Sequence, residues 1–185
     1  AEWRWGAGRG AQHMVFLTFG TGFGAGLILN GQLYAGANDN AGEIGHVRLA
    51  PCGPWGYGKR GAVEGFCGGA GIARLGQQIV RRHRRRGEPV AFCPTPTDVR
   101  ALSAQTICRA ARAGDPVAAE IVAVAGRQLG RALAILIDLF NPEVVVLGSL
   151  FVRAEELFRP PAEGALAEEA LPLAAAVCRI VPAAL

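Results

Sequence analysis

Three observations predict a mixed α/β domain. Apolar, strand-like runs alternate with helix-like segments along the chain, as α/β architectures require. One of these runs, Glu143-Val-Val-Val-Leu147, is short, unbroken and β-branched, the mark of a strand covered on both faces. Finally, 185 residues at 51% apolar and 18% charged content can build one domain with a true core, alone or with a small appendage, and argue against disorder. No internal repeat is evident.

In chain order, Ala1 to Gly10 reads as the tail of a helix, with Glu2, Trp3 and Trp5 followed by the stops Gly6 and Gly8. Met14 to Phe19 is a strand. Gly20-Thr-Gly-Phe-Gly-Ala-Gly26 then reads as a glycine-rich turn, and Leu27 to Leu29 as a second strand closed by Asn30-Gly31, a strong hairpin signal. Such a turn can offer successive N–H groups to anionic oxygens without Cβ interference, and the Thr21 hydroxyl adds a donor. A hairpin without a ligand fits the same residues. Gln32 to Ala41 is a loop by composition. Asp39, between Asn38 and Asn40, could serve as a base, but Asx turn chemistry accounts for it as well. Gly42-Glu-Ile-Gly-His46 sets a carboxylate and an imidazole three residues apart. Flanking glycines argue against an iron-binding Glu-x-x-His helix, and Glu43 accepting from His46 or from backbone is a purely structural alternative. Glu64, before Cys67-Gly-Gly-Ala-Gly-Ile72, could be a helix N-terminal charge.

Gly71 to Arg86 has helical apolar spacing and ends in basic residues and Gly87. The run Arg81 to Arg86 reads as a solvated helix end, with a phosphate or nucleic-acid patch as the alternative. Glu88 to Pro96 is a connection, and a helix begins near Thr97 and continues toward Ala113. Asp115-Pro116 is an N-cap followed by proline at the first helical position; this helix should run to Phe140 and end at Asn141-Pro142. Gly148-Ser149 falls at the carboxyl end of the 143–147 strand, where α/β sheets place ligands, although an ordinary strand-to-helix turn would look the same. A helix near Ala154 to Ala170, interrupted by or divided at Pro160-Pro161, leads to a last strand near Val177 to Val181.

Charge and cysteine content limit the setting. The net charge of +4 is carried by arginine, Lys59 being the only lysine; this reads as a compositional habit more than a nucleic-acid surface. Five cysteines without a framework suggest a reducing, cytoplasmic location. No apolar run spans a membrane, and no secretory leader is evident. The chain lacks an initial methionine, and its ends read as cuts.

GTGFGAGLILNGQLYAG, then AGEIGH, then VEGFCGGAGI together resemble the ROK family of sugar kinases and sugar-responsive repressors, over nearly the whole chain and the second half or so of a typical member. The resemblance implies an actin-like ATPase, ribonuclease-H-like α/β fold, mainly its larger C-terminal lobe, with 1–185 a single partial lobe lacking the N-terminal lobe and the last helix. It implies transfer of the ATP γ-phosphoryl group, with Mg²⁺, to a hexose or N-acetylhexosamine. Glu43, His46 and Glu64 would bind the sugar, whose hydroxyls suit two carboxylates and an imidazole. Gly20, Thr21, Gly22 and Gly24 would bind the phosphates, and Gly148 and Ser149 the nucleoside. The family's general base, an aspartate in an Asn-Asp pair, and its first phosphate hairpin, Asp-x-Gly-x-Thr, have no counterpart here. No catalytic residue is assigned, the base is expected upstream of Ala1, and residues 1–185 alone should turn over little or not at all. Many members bind zinc through this histidine and a Cys-x-Cys-x4-Cys run. Here His46, Cys52 and Cys67 are too few and oddly spaced, so no zinc is expected, and Trp55-Gly-Tyr-Gly-Lys59 would hold the loop by packing and hydrogen bonds. The family also implies a homodimer in the full-length protein; no membrane partner and no nucleic acid is expected of these residues. Two alternatives are the sugar-binding lobe of a repressor and a non-catalytic remnant.

Overall fold

The computed structural model describes residues 1–185. Its centre is a five-stranded sheet in the order β3-β2-β1-β6-β7, built from β1 (Met14–Phe19), β2 (Phe23–Leu29), β3 (Gln32–Tyr34), β6 (Val144–Leu147) and β7 (Arg179–Pro182). β1 to β3 form an antiparallel meander, while β1-β6 and β6-β7 pair in parallel. A second, two-stranded sheet pairs β4 (Trp55–Gly56) with β5 (Lys59–Arg60). Since β1 and β6 are parallel, their carboxyl ends share one sheet edge. Gly20 and Gly148-Ser149 therefore lie side by side.

The main core fills one face of the large sheet. Val15, Leu17 and Phe19 of β1, with Val145 and Leu147 of β6, pack there against α2 (Val63–Cys67), α3 (Gly69–Arg85), α6 (Pro116–Phe140) and α7 (Leu150–Glu169). On the opposite face Met14, Ile28, Val144 and Val146 form a smaller cluster with Trp3 of α1 (Glu2–Trp5). All four β6 residues are thus buried, two toward each face, as the unbroken valine run predicts. The Glu2 carboxylate accepts N–H groups from Ala7, Ala184 and Leu185 at 2.8, 3.0 and 2.7 Å. Those bonds offset the cost of burying a charge and tie α1 to the segment after β7.

Several boundaries follow their local signals. Asp115 caps α6 by accepting from Val117 and Ala118 N–H, and Asn141, left-handed at φ 44°, ends it. The turn Asn38 to Asn40 closes through Asn40 Nδ2 donating to Asn38 O at 2.8 Å, with Asp39 at φ 62°, consistent with turn chemistry for this stretch.

Others differ from expectation. Only Gly20 to Gly22 is a turn; Phe23 to Gly26 continue as strand, because Phe23 is buried in register with Phe19 and their rings meet edge-on at 5.6 Å. The expected loop after Gly31 starts as β3. The helix expected from Thr97 is two helices, α4 (Pro96–Arg100) and α5 (Ala104–Arg112), each opened by a capping box, Thr95 with Asp98 and Ser103 with Thr106. In α7 the break falls at Ala154 (φ −146°, ψ 33°), and Pro160-Pro161 lie within the helix. The last strand begins at Arg179, after a short α8 (Pro172–Ala175). Gly126 and Gly130 of α6 explain where the prolines sit. A Cβ at Gly126 would strike the Pro161 ring, and one at Gly130 the Ala162 carbonyl, so α6 and α7 approach closely over the proline pair.

Candidate functional site

The hairpin tip separates two groups of sequence-nominated residues. On one side a cavity of about 720 Å³ opens at the shared carboxyl edge of β1 and β6. Gly20 and Thr21 form one wall, Gly69 and Ala70 at the start of α3 another, and Ser149 with Arg153 a third. The α3 N-terminus carries no side-chain cap, so its dipole and first-turn N–H groups suit an anion. Gly69 N–H donates to Gly20 O at 2.7 Å, fixing that helix start to the hairpin. Ser149 opens α7 at φ 52°, strained for a residue with a side chain, and its hydroxyl makes no cap bond. The walls carry hydroxyls and an arginine but no carboxylate.

Of the residues nominated for nucleotide, Gly20, Thr21 and Ser149 line this cavity. Gly148 is buried behind it, donating its N–H to Leu17 O with the Phe16 ring close by. Gly24 pairs with Thr18 within β2. Gly22 faces away, toward Glu64 Oε2. Sequence reasoning missed Ser103, Gln105 and Arg153, which complete the cavity from α5 and α7. A Ser-x-x-Thr cap signal marks Ser103, but nothing local points to the other two.

On the other side of the tip lie the nominated sugar residues. Glu64, in the first turn of α2, accepts from Phe23 N–H through Oε2 at 3.3 Å; it is therefore both an N-terminal helix charge and a contact to the hairpin. Glu43 precedes and His46 ends a 3₁₀ turn, Ile44–His46, held against β2. A Cβ at Gly42 would strike Ala25 O, and one at Gly45 would strike Phe23 O. Both glycines are thus needed for this close approach, and Ala25 N–H donates to Gly42 O at 2.7 Å. The alternative in which Glu43 accepts from His46 or from backbone is not the contact formed. Tyr57 Oη donates to Glu43 Oε2 at 2.8 Å, and Lys59 Nζ meets His46 Nδ1 at 2.7 Å. The hydrogen bond to Glu43, together with burial and the fields of Glu43 and Glu64, raises the Tyr57 pKa. The phenol accordingly stays protonated, and both carboxylates lie near it.

His46, Cys52 and Cys67 do not converge. Cys52 is exposed, whereas Cys67 is fully buried with Sγ directed at Ala125 O of α6, and burial pushes its thiol strongly upward. No three His, Cys, Asp or Glu side chains anywhere in the chain are grouped to hold a metal ion.

The fold is the actin-like ATPase fold of ROK sugar kinases. The chain belongs to the ROK family, whose model matches residues 1–185. It is 31% identical over 172 residues to the DNA-binding transcriptional dual regulator NagC of Escherichia coli K12, covering 92% of this chain and 40% of that protein. It is 34% identical over 169 residues to a glucokinase of Halalkalibacterium halodurans, covering 90% and 50%. A ROK glucokinase from Streptomyces griseus, solved with glucose and AMPPNP, superposes with a TM-score of 0.80 at 29% identity, over 98% of this chain and 59% of that one. The chain spans half or less of the length of these curated relatives. No helix is long and apolar enough to cross a membrane.

Proposed function

We propose that this chain is the nucleotide- and sugar-binding lobe of a ROK sugar kinase, acting on a hexose or N-acetylhexosamine. The observation that carries the reading is the shared wall: Gly20 and Thr21 line an anion-suited cavity while Gly22, one residue on, abuts Glu64. Such a wall sets phosphates and a polyol on either side of one hairpin. In this reading the α3 N-terminus and Thr21 hold the phosphates, Ser149 and the α5 start border the nucleoside, and Glu43, His46 and Glu64 orient the sugar. Mg²⁺ enters as part of the metal–nucleotide substrate, since the cavity walls supply no carboxylate to retain it. Positioning and charge stabilisation supply the rate enhancement. Glu43 and Glu64 each hold one oxygen on a protein donor, Tyr57 Oη–H and Phe23 N–H, and keep the other for sugar hydroxyls. Proton abstraction is assigned to neither, because the Asn-Asp pair the family uses for that step has no counterpart in these residues.

Likeness to the NagC regulator favours a second reading, a sugar-sensing lobe whose occupancy controls DNA binding. Calorimetry with Mg·AMPPNP and with D-glucose or N-acetyl-D-glucosamine separates the two. Binding of both nucleotide and sugar, with ADP release by the full natural polypeptide, is expected for the kinase. Sugar binding without nucleotide binding would overturn it in favour of the regulator.

A further inference from the structure

The β4–β5 hairpin, in the run expected to hold the loop by packing and hydrogen bonds, sets two side chains on the nominated sugar residues. We propose that Tyr57 and Lys59 are positioning residues that fix Glu43 with one oxygen free to accept and His46 with Nε2–H free to donate, so that the pair engages neighbouring hydroxyls of a sugar. The proposal rests on the sugar reading above and deepens it.

An ammonium carries three N–H donors and no lone pair. A lysine in hydrogen-bond contact with Nδ1 therefore requires the lone pair there, and a neutral ring then carries its hydrogen on Nε2. The Tyr57 phenol donates to Glu43 Oε2, leaving Oε1 to accept. The Tyr57 and His46 rings lie 5.1 Å apart at 50°, which restrains rotation of the imidazole. One acceptor and one donor side by side match a sugar hydroxyl that donates next to one that accepts.

The hairpin is built to hold these groups still. Its strands pair Trp55 with Arg60 and Gly56 with Lys59. Gly56 lies so close to α2 that a Cβ would strike Gly65 N. Arg74 of α3 donates Nε–H to Trp55 O at 2.9 Å, and Gly61 N–H donates to Pro54 O at 3.1 Å. Tyr57 and Gly58 both occupy the left-handed region, at φ 49° and 68°, the pattern of a two-residue type I′ turn that favours Asn or Gly first. A tyrosine there accepts backbone strain, and it places its hydroxyl on Glu43. The side chain facing Nδ1 is also the only lysine in an arginine-rich chain, giving a compact point donor where a guanidinium would bring a planar fork.

The test combines two measurements on the full natural polypeptide, with D-glucose and N-acetyl-D-glucosamine as probes. Long-range ¹H–¹⁵N correlation of the imidazole, assigned through His46→Gln, reads the tautomer, and calorimetry reads affinity. Wild type should show Nε2–H at His46. Lys59→Met should populate Nδ1–H and weaken sugar binding roughly ten-fold, and Tyr57→Phe should weaken it comparably, the size of one positioned hydrogen bond. Lys59→Arg, still a pure donor, should retain the tautomer, while its planar fork should recover only part of the affinity. Thermal unfolding should move little in all three, so a general loss of structure would not mimic the result. Sugar binding by wild type, with tautomer and affinity both unmoved in Lys59→Met, overturns this proposal alone. Failure of wild type to bind either sugar overturns the underlying reading and the proposal with it, whatever the tautomer.

Discussion

Replacing Glu2 tests how the two ends of the fold are joined. The residue is 7% exposed, and its two oxygens accept three backbone N–H groups, one from Ala7 and two from Ala184 and Leu185. Glu2→Ala leaves those donors without their partner. At about 1 kcal/mol for each lost bond the cost is about 3 kcal/mol, or about 6–12 °C in Tm for a chain of this size. Glu2→Gln can keep its carbonyl on the Ala184–Leu185 pair but turns an amide toward Ala7 N–H, so it should cost less, about 1–2 kcal/mol. The pH dependence has a definite sign. Burial raises the Glu2 pKa, but the three N–H bonds and the nearby N-terminal ammonium together outweigh it and the net shift is downward. A carboxyl depressed in the folded state adds stability that is present above its unfolded value, about 4.3, and lost as pH falls through the folded value. Urea unfolding of wild type and Glu2→Gln should therefore show a gap that is constant near neutrality and closes below about pH 4. A gap that stays constant or widens in acid would refute the reasoning, as would a Glu2→Ala Tm within about 2 °C of wild type.

Other substitutions address single features. Asp115→Ala removes both cap bonds at the start of α6 and should cost about 1–2 kcal/mol, read by urea unfolding. Gly45→Ala drives a methyl into Phe23 O; lifting the 3₁₀ turn off β2 should weaken sugar binding, measured calorimetrically, more than it lowers Tm. Gly130→Val places a branched side chain on the Ala162 carbonyl and should destabilise by about 1–3 kcal/mol through overpacking, again by urea unfolding. In thiol labelling near pH 8, exposed Cys52 should react first. Cys108 and Cys178, both pushed up to about 11 mainly by burial, should lag, and Cys67 should wait for unfolding.

The features legible in the sequence are those governed by neighbours along the chain. Asn30-Gly31, the Asp115-Pro116 cap and the valine run of β6 each determine their own conformation, and the structure follows all three. Where the outcome depends on distant contacts, local reading fell short. Phe23 extends β2 because its ring is buried against Phe19, which in turn meets Phe158, a contact that a count of glycines does not register. Pro160-Pro161 stay within α7 because Gly126 and Gly130 receive that surface, and those glycines lie some thirty residues earlier. Within the site, the motifs nominated Gly20, Thr21, Ser149, Glu43, His46 and Glu64. The sequence marked Trp55 to Lys59 as a run that holds the loop, but not that Tyr57 and Lys59 would meet Glu43 and His46, and it gave no sign of Arg153, which reaches the cavity from a distant helix.

The pairing of β1 with β6 also dictates the order in which this protein can be assembled. Val15 waits for Val145, just as His13 N–H waits for the Glu143 carboxylate 130 residues away. The β1–β3 meander can form as soon as it leaves the ribosome, but its inner edge then has no partner. From the end of β3 to the start of β6, Tyr34 to Val144, that edge stays open for about 6–22 s at synthesis rates of about 5–20 residues per second. Backbone donors and acceptors of a strand that will be central are on offer to any other chain throughout. The site-bearing hairpin therefore forms early, on a sheet that can close only after α6 has been made.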